Sequence, residues 1–315
     1  MAPESLASSD SDYQLVRLAN GAFSIHSKAE GETFHPVVGP AAEAQALYVN
    51  QLKLRERMQS QAGEFVIWDV GLGAAANVLT ALRATCDLPC SLHVISFDRT
   101  IAPLQFALRH AAELGYLAHY ESAVQSLLET GRADFRHQQQ SVQWRLCLGD
   151  FPQFLRRPGP VPAPHAIMFD AFSPAKNPEM WTAPLFSDLF GALDPGRPCA
   201  MPTYSRSTML RVTLLLAGFY VGIGHATGEK EETTIAANTL ELIDEPLPAS
   251  WLRRARLSKS AEPLWEPFYR QAHISPETWE KLRRHPQWIT CRQPDGDVHP
   301  GGVQQKSSFL RHGRK

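Results

Sequence analysis

Four aspartates stand at or near the ends of short apolar runs, where a carboxylate can be carried to one edge of a sheet. They are Asp69 in Val66-Ile67-Trp68-Asp69-Val70, Asp98 after Leu92-His93-Val94-Ile95-Ser96-Phe97, Asp150 after Trp144-Arg145-Leu146-Cys147-Leu148-Gly149, and Asp170 after Ile167-Met168-Phe169. The first is followed by Gly71-Leu72-Gly73 and the helix-forming Ala74-Ala75-Ala76-Asn77-Val78-Leu79. A strand that ends in Gly-x-Gly lets a ligand approach the backbone, and the next helix's N-terminus offers unpaired N–H groups. The same pair of glycines also fits a plain tight turn.

A dinucleotide fingerprint carries a third glycine beside the pyrophosphate, and here that stretch is alanine and asparagine. A nucleoside ligand without pyrophosphate, such as S-adenosylmethionine, suits the loop better. Asp69 would face the cationic amino end of such a ligand, directly or through water. Asp98 is placed to accept hydrogen bonds from ribose hydroxyls or to cap the following helix. Asp150 is placed for an exocyclic adenine amine, with capping again the competing role. Asp170 opens the most specific stretch, Asp170-Ala171-Phe172-Ser173-Pro174-Ala175-Lys176-Asn177-Pro178-Glu179-Met180-Trp181. Two prolines stiffen this aromatic-flanked loop more than a connection requires. Phe172 and Trp181 either line a pocket, stacking on a base, or belong to the core. Lys176 either contacts phosphate or is simply solvated.

The elements that must position these residues follow from periodicity. β-branched runs at about 65–70, 92–97, 142–148, 166–170 and 199–204 alternate with helical patterns at about 74–84, 101–115, 119–131, 179–193 and 206–217. Phe219–Gly224 and Glu232–Ala237 are too close together for a helix between them, so a closing antiparallel pair is expected. This predicts an α/β fold of the class I methyltransferase, Rossmann-like kind, with a mostly parallel seven-stranded sheet and an antiparallel edge strand. Upstream, apolar–polar alternation around Asn20-Gly21 predicts a β-hairpin, and Ala41 to Arg57 a helix packing on the core. Three parts are expected: residues 1–60, a catalytic domain over 61–240, and a basic, proline-rich extension over 241–315, disordered after about Asp295.

The Asp170–Trp181 string resembles the D-G-F-x-P-x-K-N-P-x-M-W hallmark of the methyltransferase domain of MnmC-type tRNA modification enzymes. Gly71-Leu72-Gly73 with Asn77 and Leu79, Ser96-Phe97-Asp98, Gly149-Asp150, Thr203-Tyr204-Ser205, and Ala217-Gly218-Phe219 followed by Gly228-Glu229-Lys230 match as well. Glu43 with Tyr48-Val49 is similar to a further family segment, and the likeness covers about residues 20–240. Where that family has E-x-G-F-G-T-G-L-N, this chain has Asp69 for the acid and Ala74-Ala75-Ala76 in the turn, and Ala171 replaces a glycine after the key acid.

The resemblance implies S-adenosylmethionine as cofactor and methyl transfer to the primary amine of 5-aminomethyl-2-thiouridine at the tRNA wobble position. It implies a stand-alone methyltransferase half that works beside a separate FAD-dependent oxidase. Asp69, Gly71, Gly73, Asn77, Asp98, Asp150 and Asp170 are the expected cofactor residues. Asp170 and Phe172 are the expected catalytic residues, and Lys176, Asn177, Trp181 and Tyr204 the expected substrate contacts. Two other readings stand beside this one: a non-catalytic RNA- or partner-binding module on the same fold, and a methyltransferase for another amine.

Composition sets the outer limits. The 315 residues, 43% hydrophobic and 20% charged, suit an ordinary globular chain of one large α/β domain with extensions. The net charge of −1 excludes whole-molecule attraction to nucleic acid, but the bases from Trp251 onward outnumber the acids and could meet a tRNA backbone. Five scattered cysteines, no leader pattern and no long apolar run point to the cytoplasm and away from a membrane. Cys86 and Cys90 lack a second pair at zinc spacing, so no metal is expected.

Overall fold

The computed structural model describes residues 12–157, 159–228 and 231–290. The expectation of disorder beyond Asp295 and most bases of the far C-terminus lie outside the described residues.

A first sheet is built from β1 (Tyr13–Arg17), β2 (Phe23–Ser27) and β3 (Glu32–Thr33). The expected hairpin joins β1 and β2, with Gly21 at φ 87 in its turn. The main sheet uses β4 (Glu64–Val70), β5 (Ser91–Asp98), β6 (Arg132–His137), β7 (Gln140–Leu148), β8 (Ala166–Phe169), β9 (Ala200–Thr203), β10 (Tyr220–Gly224) and β11 (Thr233–Ala237). Its order is β10-β11-β9-β8-β4-β5-β7-β6, and the pairs β9·β8, β8·β4, β4·β5 and β5·β7 are parallel.

The class I, Rossmann-like expectation holds, with two differences in detail. The sheet has eight strands rather than seven, because Arg132–His137 folds back antiparallel on β7. Alternating charged residues on that strand hide it from an apolar-pattern search and suit an edge that must not pair with another chain. The reversed strand beyond β9 is β11, and it lies inside the sheet. It pairs antiparallel with both β9 and β10, so the outermost strand runs with the parallel set.

Both faces of the sheet are covered, as parallel strands require. Along β4, Phe65 and Ile67 face one buried cluster, which takes in Leu79, Leu104, Val124 and the N-terminal Ile25, Leu47 and Tyr48. Val66, Trp68 and Val70 face the other, with Phe186, Leu214 and the C-terminal Trp251, Leu282 and Trp288. The C-terminal part is tied to β10 by fully buried Gln287, whose Nε2 donates to Val221 O at 2.8 Å and whose Oε1 accepts from Val221 N at 2.8 Å. No helix among the described residues is long and apolar enough to cross a membrane.

Candidate active site

The carboxyl ends of β4, β5 and β8 meet at one cavity of about 540 Å³. That lies within the ordinary range for a small-molecule pocket, about 300–1,000 Å³. The glycine turn and the Asp170 loop are in direct contact across it. Gly71, at φ 92, leaves so little room that a Cβ there would stand 2.7 Å from the Asp170 carbonyl oxygen. The turn is anchored to β5, since the N–H groups of Gly71 and Leu72 donate to Phe97 O at 3.0 and 3.3 Å. Ala75 adopts φ 62, the left-handed conformation that favours glycine, so the alanine substitutions still follow a glycine-type path into the helix Ala76–Thr85.

The four strand-end acids separate here. Asp98 lines the cavity; its Oδ2 accepts from Gly73 N at 2.9 Å and its Oδ1 from Thr100 N at 3.1 Å. A carboxylate has about four acceptor positions, so both oxygens keep capacity for a ligand's hydroxyls. Burial raises the pKa of this carboxyl. Asp170 also lines the cavity, and its Oδ2 accepts from Asn77 Nδ2 at 2.8 Å.

Asp69 and Asp150, expected at the cofactor, lie outside the cavity lining. Asp69 lies within β4, one residue before its end, so strand alternation turns it into the helix layer at 1% exposure. There its Oδ2 accepts from Ser96 Oγ at 2.7 Å, and Trp144 Nε1 donates to the same hydroxyl at 2.9 Å. Asp150 caps the helix Phe151–Arg156, accepting from Gln153 N at 2.8 Å, while its neighbours Gly149 and Phe151 reach the cavity. Burial sets two further expected residues back from the wall. Asn77 sits behind Asp170 rather than on the wall. Trp181 is fully buried, its ring 5.4 Å from Phe169 and its Nε1 donating to Phe172 O at 2.7 Å, so it shapes the loop from beneath.

The remaining expected residues reach the cavity. Phe172 forms a wall with Phe34 at 5.6 Å between ring centroids, and Tyr204 donates to Ala171 O at 3.1 Å. Lys176 and Asn177 line the rim, where Asn177 Oδ1 accepts from Arg99 Nη2 at 3.2 Å. Arg99 also pairs with Glu179.

The N-terminal segment holds this loop, which the sequence reading did not foresee. Glu32 accepts from Ser173 Oγ at 2.6 Å, and Tyr48 donates to Phe169 O at 3.0 Å. His35 lies between Glu43, at 3.7 Å from Nδ1, and Asp170, at 3.6 Å from Nε2. The likeness of the Glu43–Tyr48 segment to the family was the one available signal that this region serves the site.

Burial raises the carboxyl pKa of Asp69 to about 7, with the fields of Asp170 and Asp98 adding to it against the Ser96 hydrogen bond. The folded protein therefore holds a proton there that the unfolded chain has released. The contribution of Asp69 to stability is fully present below the ordinary carboxylate range and is lost as pH rises to about 7. Asp69→Asn should accordingly raise stability by up to about 4 kcal/mol at about pH 8 and leave it almost unchanged near pH 4. Urea unfolding at the two pH values checks this; equal gains at both would refute it.

A family profile described as S-adenosyl-L-methionine-dependent methyltransferase matches residues 114–239. The tRNA 5-methylaminomethyl-2-thiouridine biosynthesis bifunctional protein MnmC of Methylibium petroleiphilum is 30% identical over 236 residues, 73% of this chain and 35% of that protein. This chain is an S-adenosylmethionine-dependent methyltransferase. Over the matched residues it is similar to the MnmC proteins. The MnmC protein of Ectopseudomonas mendocina is 29% identical over 75% of this methyltransferase and 36% of its own length. The methyltransferase thus spans about a third of the length of these curated relatives. The crystal structure of MNMC2 from Aquifex aeolicus shares the fold, with a TM-score of 0.63 at 23% identity over 87% of this methyltransferase and 83% of that chain.

Proposed function

We propose that this methyltransferase transfers a methyl group to the primary amine of 5-aminomethyl-2-thiouridine at the tRNA wobble position. The observation that carries this reading is the contact of the Gly71 turn with the Asp170 loop around one cavity open to a ligand. A donor held by one loop and an acceptor held by the other would meet there, and in-line displacement needs chiefly that alignment.

The cavity fits the cofactor's chemistry. Gly71 and Gly73 line the cavity without side chains, and Asp98 offers acceptors for ribose hydroxyls. When bound, S-adenosylmethionine supplies a methyl group activated by a sulfonium. Asp170 holds the acceptor amine, Phe172 and Phe34 flank the base, and Lys176 and Asn177 meet the nucleotide at the rim. The names of the MnmC relatives place them in the biosynthesis of tRNA 5-methylaminomethyl-2-thiouridine, which supports this choice of amine. A flavin-dependent oxidase would then supply the free aminomethyl group. A tRNA substrate would be met in the cytoplasm, with the bases beyond Trp251 against the tRNA backbone. Four of these bases in the described residues are already in ion pairs: Arg254, Lys281, Arg283 and Arg284.

The test is incubation with labelled S-adenosylmethionine and tRNA carrying the aminomethyl nucleoside, followed by mass spectrometry of nucleosides. One added methyl group on the wobble nucleoside is expected. Equal methylation of small free amines would favour a different substrate. Cofactor binding in calorimetry with no turnover on any amine would favour a binding module.

A further inference from the structure

His35 lies 135 positions before Asp170, yet it shares the cavity with it. Its ring is only 11% exposed and stands between two carboxylates, with Nδ1 3.7 Å from Glu43 and Nε2 3.6 Å from Asp170. The backbone at His35 has φ 47, a conformation that costs a non-glycine residue about 1–2 kcal/mol. Strain of that kind persists where the surroundings impose a side-chain position. Here the neighbours are Phe34, packed on Phe172, and the helix Pro40–Ala44, which presents Glu43.

We propose that His35 is a catalytic residue that accepts the proton released by the substrate amine, with Glu43 and Asp170 orienting its ring. The proposal rests on the amine-methylation reading above. An alkylammonium has no lone pair to attack with, so one N–H bond must break and its electron pair stay on nitrogen. That pair then forms the N–CH3 bond while the S–CH3 bonding pair returns to sulfur, which becomes neutral. The amine proton moves to the His35 imidazole and from there to water, and the product leaves as the methylated ammonium.

An imidazole suits this better than a carboxylate, because its proton affinity lies much closer to neutrality. Burial alone would depress the His35 imidazolium, but the charges of Asp170 and Glu43 outweigh it and raise its pKa above the ordinary histidine value. Of the other titratable groups in this region, Tyr48 and Tyr204 stay protonated at neutral pH, Asp69, raised to about 7, is about half ionised there, and Glu32 lines the same cavity.

The experiment is the pH profile of kcat/KM for methyl transfer to the amine-bearing tRNA, in the parent, His35→Asn and Glu43→Gln. Asparagine tolerates the left-handed backbone, so the first variant should fold. His35→Asn is expected to lose about 100-fold at neutral pH and to recover toward the parent as the amine's own ionisation is approached. Glu43→Gln removes a charge that raises the imidazole, so its ascending limb should move to lower pH, a shift that a merely structural role would not cause. Cofactor affinity in calorimetry should be unchanged in both. A His35→Asn profile that parallels the parent, or a Glu43→Gln limb that stays in place, overturns the assignment. A parent enzyme that binds cofactor but leaves the amine untouched overturns both this and the reading beneath it.

Discussion

Asp170→Asn should lower methyl transfer by about 10²–10⁴-fold while the protein remains folded and binds S-adenosylmethionine. The carboxylate is the meeting point of the site: its Oδ2 accepts from Asn77 at 2.8 Å and stands 3.6 Å from His35. Asparagine keeps the shape and an acceptor oxygen for Asn77, but it removes the charge that holds an ammonium and draws the imidazole into line. The residue sits at the cavity edge and not inside either apolar cluster, so the fold has little to lose. Label transfer to the amine, a thermal melt and calorimetry together test this. Activity within a few-fold of the parent would remove Asp170 from the chemistry.

The second large effect is expected at Gly71. In Gly71→Ala the new methyl would lie 2.7 Å from the Asp170 carbonyl oxygen and 3.0 Å from its carbonyl carbon, so the two loops must separate. Left-handed strain adds about 1–2 kcal/mol and overpacking about 1–3 kcal/mol, for a combined loss of roughly 2–5 kcal/mol. Cofactor affinity should fall with it, because the displaced segment is the wall of the cavity. Gly63 provides the control: it has the same φ of 92 but nothing within 4 Å of an added Cβ. Gly63→Ala should show the backbone strain alone in urea unfolding. If Gly71→Ala were no worse than Gly63→Ala, the close contact between the loops would not exist in solution.

Much of this was local information. Strand and helix periods, the Gly71-Leu72-Gly73 turn and the proline-stiffened loop after Phe169 sufficed for the fold class, because each depends on residues within a few positions of one another. Polar strands on the outer edge were harder, since β6 alternates around charged residues and buries little. The sorting of the four acids was beyond a linear reading. Asp98 and Asp170 fall at or after the last residue of their strands and open on the cavity, whereas Asp69 lies one position short and turns inward, and Asp150 is taken up by its own helix.

From its sequence alone, this protein was determined to be a sheet with a nucleoside-type turn at its rim and an unusual aspartate loop beside it. Only the tertiary structure decided that Trp181 supports that loop from below, and that Phe34, His35 and Glu43 complete the site. The reason is physical. A strand's reach and a turn's shape come from short-range sterics, while the company of a side chain at the rim depends on how distant segments pack, and no periodic signal connects residue 35 with residue 170.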